Sequence, residues 1–161
     1  MSSGLTLFTQ IHVLISLVGI VSGCVVLYGL ITVFRMNAWT AIFLTTTAAT
    51  TITGFLFPFK GFTPAIGVGI VSLLVLIPAA AARYAFHLAG SWRWVYVVGA
   101  VFSLYLNVFV LVVQSFLKIP ALNALAPNGT EPPFAIAQGV VLLVFVVAGV
   151  MAVRRFQPAA A

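Results

Sequence analysis

The residues of this chain that could do chemistry are few, and most are uncharged side chains inside long apolar segments. Residues three or four positions apart lie on one side of a helix, so several of these side chains would share faces. Asn107 is the most informative, because an unpaired amide in hydrocarbon costs several kcal/mol. These polar side chains could line a cavity between the first, second and fourth apolar segments. The residues of this polar group are His12, Ser16, Thr46, Thr50, Ser103, Asn107 and Gln114.

Two interpretations of this polar group are open. In the first, Asn107 hydrogen-bonds to threonines that share one face of the second segment, Thr46, Thr50 and Thr53, and the contact only holds helices together. In the second, the group lines a cavity that opens to the outside of the membrane and belongs to a small channel, a transporter or a binder of lipophilic ligands.

A second group of residues is cationic. Arg83 and His87 are one helical turn apart near the end of the third apolar segment. A cation in this position can extend its side chain to the lipid headgroups. Alternatively, the group forms a site for a headgroup or another anion, made of Arg35, Arg83, His87 and Arg93.

The chain lacks the residues that several kinds of enzyme chemistry require. Glu131 is the single acid of the chain and Asp is absent, so neither a Ser-His-Asp triad nor a carboxylate pair can be assembled. The dispersed His and Cys residues do not supply the three or four ligands of a zinc site. The sequence therefore favours a protein that is not an enzyme and that has no metal and no cofactor.

Histidine also raises the question of haem. His12 and His87 would lie near opposite surfaces of the membrane, too far apart to be the two axial ligands of one haem. A haem-binding redox protein would need one histidine alone or a ligand from a partner chain, and it stays a second alternative.

The composition predicts an integral membrane protein. Of 161 residues, 63% are hydrophobic and 5% are charged, whereas a soluble domain has roughly 25% charged residues. The net charge of +6 comes from few, scattered cations, which do not form the basic face of a nucleic-acid-binding protein.

The apolar segments predict an all-α bundle of about five transmembrane helices that forms a single domain. Each segment has about the 20 residues that crossing a bilayer requires. The second segment is rich in threonine, and if it is re-entrant the number of spans falls to four. The predicted spans are 11–34, 38–57, 65–88, 92–117 and 134–153, with an outer loop at 118–133.

The cations predict an orientation, because Lys and Arg are enriched on the cytoplasmic side of membrane proteins. One side of the five-span topology would hold five arginines and the other two lysines and Glu131. The N-terminus is then outside and the C-terminus cytoplasmic. The arginines are Arg35, Arg83, Arg93, Arg154 and Arg155, and the lysines are Lys60 and Lys118.

Gly19 and Gly23 form a Gly-x-x-x-Gly pair in the first segment. Such a pair lets two helix backbones approach closely. It indicates either packing inside the bundle or the contact of a homodimer.

Three stretches resemble parts of small, uncharacterised bacterial inner-membrane proteins: Gly54–Pro64, Leu106–Gln114 and Glu131–Phe134. The resemblance would extend over most of the chain. It implies a bacterial cytoplasmic membrane, and it brings no activity, cofactor or site residue with it.

The sequence as a whole favours a non-catalytic membrane protein that acts as an accessory or scaffold subunit. It would pack against lipid, against itself as a homo-oligomer, or against another protein in a heteromeric membrane complex, and nucleic acid is not an expected partner. The main alternative is the channel, transporter or lipophilic-ligand binder with its cavity between the first, second and fourth helices.

Overall fold

In the computed structural model, which describes residues 3–58 and 61–157, the chain forms a bundle of α-helices. The all-α membrane bundle predicted from the sequence is confirmed. Lys60, used above for the orientation, lies outside the described residues. The helices are α1 (Ser3–Thr32), α2 (Asn37–Phe55), α3 (Pro64–Tyr84), α4 (Trp92–Lys118), α5 (Pro120–Leu125) and α6 (Pro132–Arg155).

Four of the described helices, α1, α3, α4 and α6, are long and apolar enough to cross a membrane. The less apolar α2 has 19 residues, or about 28 Å at 1.5 Å per residue. It runs antiparallel to α1, from the tight turn after Thr32 back to Phe57, whose ring centroid lies 4.9 Å from that of Phe8. α2 therefore lies alongside α1 from the turn back to the level of Phe8.

Two helices differ from the predicted spans at one end, by about two turns and one turn. α1 begins at Ser3 rather than at residue 11, and α3 ends at Tyr84 rather than at residue 88. The chain leaves α3 through His87 and Leu88, which both have positive φ, and Leu88 is buried in the core. The short turn to α4 thus requires left-handed backbone where the sequence suggested another helical turn.

The described helices place the arginines together. One end of the bundle, which we call the arginine end, holds the end of α1, the last turns of α3 and α6 and the first turn of α4. Its arginines are Arg35, Arg83, Arg93, Arg154 and Arg155. Lys118, α5 and Glu131 lie at the opposite end, which we call the loop end. The five arginines from which the orientation was predicted therefore lie at the same end of the bundle.

The core lies where α4 meets α1, α2 and α3, and its largest buried side chains include Tyr96, Phe43 and Leu104. Gly23 makes this packing possible. A Cβ atom there would lie 2.6 Å from Leu104 Cδ1 and 2.8 Å from Phe43 Cε2, closer than real Cβ contacts allow. The Gly-x-x-x-Gly pair is thus used for packing inside the bundle, the first of its two interpretations.

The loop end is more ordered than a plain loop. Residues 118–133, predicted as an outer loop, contain the short helix α5. The Asn123 side-chain amide donates to the Phe116 carbonyl at 3.1 Å, and Ala126 is buried. These contacts fold the connection back onto the end of α4.

Glu131 holds the turn that leads into α6. Its Oε1 accepts from the backbone and side-chain amides of Asn128 at 3.1 and 2.8 Å, and its Oε2 accepts from the Thr130 backbone amide at 3.0 Å. Desolvation favours the protonated acid, but these hydrogen bonds outweigh it and hold the pKa of Glu131 below its ordinary value.

Gly23→Ala tests the close approach of α1 to the core. The added methyl group must displace Leu104 and Phe43, and overpacking of this kind costs about 1–3 kcal/mol. We expect a lower free energy of unfolding in detergent. Gly139→Ala in α6 is the matched control, because a Cβ at Gly139 meets nothing within 4 Å. Equal stability of the two variants would contradict the packing described for α1.

Glu131→Gln tests the turn before α6. A carboxylate with a lowered pKa stabilises the turn above its ordinary pKa, and this contribution is lost as the pH falls through the lowered value. We expect amide exchange at Asn128 and Thr130 to be slower in the native protein than in the variant at neutral pH. The difference should vanish in acid. A difference that persists unchanged at low pH would contradict this assignment.

Candidate functional site

The polar centre of the bundle is a hydrogen bond between α4 and α2. Asn107 Nδ2 donates to Thr47 Oγ1 at 3.1 Å. Both residues lie near the middle of their helices, where neither water nor lipid headgroups can pair with the amide. The partner that Asn107 requires in hydrocarbon is therefore supplied by a neighbouring helix.

Gly19 of α1 completes this centre. A Cβ atom at Gly19 would lie 3.2 Å from Thr46 Oγ1, 3.6 Å from Thr47 Oγ1 and 3.7 Å from Asn107 Nδ2. The glycine backbone thus fills the space in front of the Asn107–Thr47 pair. The three helices therefore meet closely at this point.

His12 forms a second polar contact, nearer the loop end. Its Nδ1 lies 2.8 Å from Thr53 Oγ1. Because the Thr53 hydroxyl donates to the Ala49 carbonyl at 2.7 Å, it accepts from His12, and Nδ1 carries the proton. The edge of the imidazole also meets Phe57, with ring centroids 5.1 Å apart. His12 therefore joins α1 to the end of α2.

The remaining hydroxyls divide into two kinds. Ser16 and Thr46 donate to backbone carbonyls one turn earlier, His12 O and Ile42 O, both at 2.7 Å. Within the described part of the chain, the buried Oγ1 of Thr50 and Oγ of Ser103 have no hydrogen-bond partner. The side-chain oxygen Oε1 of Gln138 on α6 is likewise buried without a partner, so these three groups are the buried polar side-chain groups of the described residues that lack a hydrogen bond.

The structure corrects the predicted group in two places. Gln114 does not join it, because its side chain is exposed on another part of α4. The partner of Asn107 is Thr47, which the sequence reasoning passed over in favour of Thr46, Thr50 and Thr53. Thr47 follows Phe43 by one turn, so its position on the face of the core residue Phe43 was the signal that could have identified it.

The arginine end contains a second polar cluster. Arg83 donates to the Asn37 side-chain carbonyl, and its guanidinium carbon lies 5.5 Å from the centroid of the Tyr96 ring. The Tyr96 hydroxyl is 3.2 Å from Thr40 Oγ1. Arg35 lines the same cavity of about 10 Å³ as Arg83, Tyr96 and Thr40. A cavity of this volume holds about one water molecule.

Two predicted members of the cationic site lie elsewhere. His87 is not on α3 one turn from Arg83, because the helix has ended and His87 is exposed in the turn. Arg93 donates to the Phe156 carbonyl at the end of α6 and stacks over Trp94, with 4.1 Å from its guanidinium carbon to the ring centroid. Arg35 and Arg83 are thus brought together, whereas Arg93 joins α4 to α6.

Neither metal-binding side chains nor similar proteins add information about the function of this site. Among the residues that the structure describes, no group of three or more His, Cys, Asp or Glu side chains could hold a metal ion. His12 and His87 lie at opposite ends of the bundle, which agrees with their predicted separation. No family model, no curated protein and no solved structure matches the chain.

A double-mutant cycle tests the Asn107–Thr47 pair. Asn107→Leu and Thr47→Val should each lower the free energy of unfolding, with a coupling energy of about 0.6–1.7 kcal/mol, the range of hydrogen bonds between membrane helices. Thr46→Val is the matched control, because the Thr46 hydroxyl bonds to its own helix and should show no coupling to Asn107→Leu. Equal coupling energies in the two cycles would contradict a stabilising hydrogen bond between Asn107 and Thr47.

Proposed function

We propose that the chain is a non-catalytic membrane protein, an accessory or scaffold subunit that packs against another membrane protein or a second copy of itself. The observation that carries this proposal is the low burial of α6 within the chain. In the most apolar window of α6, 6% of the residues are buried within the chain, against 22–44% for the other three apolar spans. A partner surface would supply the contacts that this helix does not find within the chain.

The outward face of α6 is the part of the helix that such a partner would cover. Val140, Leu143, Val147 and Val150 recur at spacings of three and four, so they form one stripe along the helix. Their side chains are 46–64% exposed. The stripe lies opposite Ala152, the buried residue through which α6 packs on the bundle. It is apolar along its whole length, as a contact inside a membrane requires.

The interior supports a structural role over transport. Asn107 and His12 each hydrogen-bond to a threonine of α2. Gly19 lies close against the Asn107–Thr47 pair. Proton-coupled transporters rely on acids or histidines buried in the middle of a span. The acid of this chain is Glu131, which holds a turn at the loop end. Such an interior is suited to holding helices together.

The membrane and the orientation belong to the same proposal. The resemblance of three stretches to bacterial inner-membrane proteins supports a bacterial cytoplasmic membrane. The five arginines at the arginine end support a cytoplasmic position for that end, with the N-terminus outside.

Native mass spectrometry of the protein extracted mildly from its own membrane tests the accessory role. We expect a stoichiometric complex, which Leu143→Trp combined with Val147→Trp dissociates by blocking the outward face of α6. Leu74→Trp is the control, because Leu74 is 68% exposed on α3, away from α6. A monomer that is unaffected by either change would overturn the proposal.

A channel or ligand-binding role is the second candidate, and the unpaired hydroxyls of Thr50 and Ser103 favour it. In this case Asn107→Leu would abolish flux or ligand binding while the protein stays folded. If the hydrogen bond is structural, the same substitution lowers stability and changes no flux. Reconstituted vesicles that show no flux of ions or small polar solutes would exclude the transport version.

A further inference from the structure

A groove lies between α4 and α6 on the flank of the bundle. Its walls are Val98, Phe102 and Tyr105 from α4 and Leu142, Val146 and Gly149 from α6, and its volume is about 230 Å³. The surface of the groove is almost entirely apolar. It is open along one side, so an extended apolar chain can enter it from the bilayer.

The length and position of the groove match one leaflet. On α6 it extends from Leu142 to Val153, which is about 16 Å at 1.5 Å per residue. One leaflet contributes about 15 Å of hydrocarbon to a bilayer. The groove therefore begins at the arginine end and finishes near the middle of the membrane, as an acyl chain of that leaflet does.

The mouth of the groove has the chemistry of a phosphate site. Trp94 is one turn before Val98 on the same face of α4, at the depth where tryptophan meets lipid headgroups. The half-buried Arg93 guanidinium stacks on Trp94 and donates one N–H to the backbone carbonyl of Phe156, the residue after α6. Arginine has five N–H donors, so others remain for a phosphate oxygen. Arg154 and Arg155 add positive charge at the same end.

We propose that this groove binds an anionic phospholipid, with one acyl chain between α4 and α6 and the phosphate at Arg93 and Trp94. The groove ends at Val98 and Val153, which lie within one turn of Trp94 and Arg154 along their helices. An apolar groove with cations beside its end suits a lipid better than a partner helix, which would need no phosphate site. Basic pockets between membrane helices on the cytoplasmic side bind anionic headgroups by the same physics. The lipid site uses the flank of α6 and is independent of the outward stripe proposed to meet a protein.

Lipid titration of the purified, delipidated chain tests the site by native mass spectrometry. The probes are phosphatidylglycerol and phosphatidylcholine with identical acyl chains. We expect one phosphatidylglycerol to be retained about fivefold more tightly than phosphatidylcholine, the effect of one arginine near the headgroup. Equal retention of the two lipids would overturn the anionic site.

Two glycines of α6 provide matched variants. Gly149→Leu places a side chain in the groove, and its Cβ lies 3.4 Å from Val101 Cγ1, an ordinary contact. We expect it to abolish the tight lipid adduct. Gly139→Leu adds the same side chain to the same helix where nothing lies within 4 Å, and it should retain the adduct. An adduct that survives Gly149→Leu, or that both variants lose, would overturn the proposal.

A further pair of variants covers folding and charge. If Gly149→Leu does not fold, Val146→Trp fills the groove from another position, and it should lose the adduct as well. Arg93→Gln should reduce the preference for phosphatidylglycerol to near that for phosphatidylcholine, and Arg93→Lys should keep part of it. Because the adduct is scored on the isolated chain, failure of this site is separate from failure of the accessory role, which is scored on membrane extracts. An unchanged preference in Arg93→Gln would place the phosphate elsewhere and contradict the proposal.

Discussion

Hydrocarbon offers no hydrogen bonds, so the amide of Asn107 in the middle of this bundle must be paired by the protein. The bond from Asn107 to Thr47 meets this requirement, and it fixes how α4 faces α2. Gly19 and Gly23 then let α1 approach both helices closely enough to exclude other molecules. The packing of Phe43 and Leu104 follows from that approach. A polar residue and two glycines thus determine the arrangement of three spans.

The same constraint has a different solution at the arginine end, where headgroups and water are within reach. Arg83 uses Asn37 and the face of Tyr96, whereas Arg93 uses Trp94 and the last carbonyl of α6. Neither guanidinium is matched by a carboxylate within the described residues. These arginines therefore fasten helix ends through uncharged partners.

Sequence reasoning predicted the helices well because a span of about 20 apolar residues has a strong signal. It failed where the backbone departs from local preference. The end of α3 depends on left-handed His87 and Leu88, and no residue there is a conventional helix stop. The polar site was only partly predictable. Helical spacing put Asn107 near the threonines, but choosing Thr47 and rejecting Gln114 requires the rotation of each helix about its axis, which only the packed core determines.

The proposed function rests on the unequal burial of the spans. Most of the buried core residues lie on α1, α2, α3 and α4, and α6 joins the core at its arginine end. α6 adds the buried Ala152, the carbonyl of Phe156 and two apolar surfaces that the rest of the chain does not cover. A soluble protein could not expose such a helix, but lipid makes the exposure cheap and leaves both surfaces free to select occupants. In the proposed roles, the flank of α6 would select its occupant by headgroup charge, whereas the outward stripe lacks charge and would select only by shape.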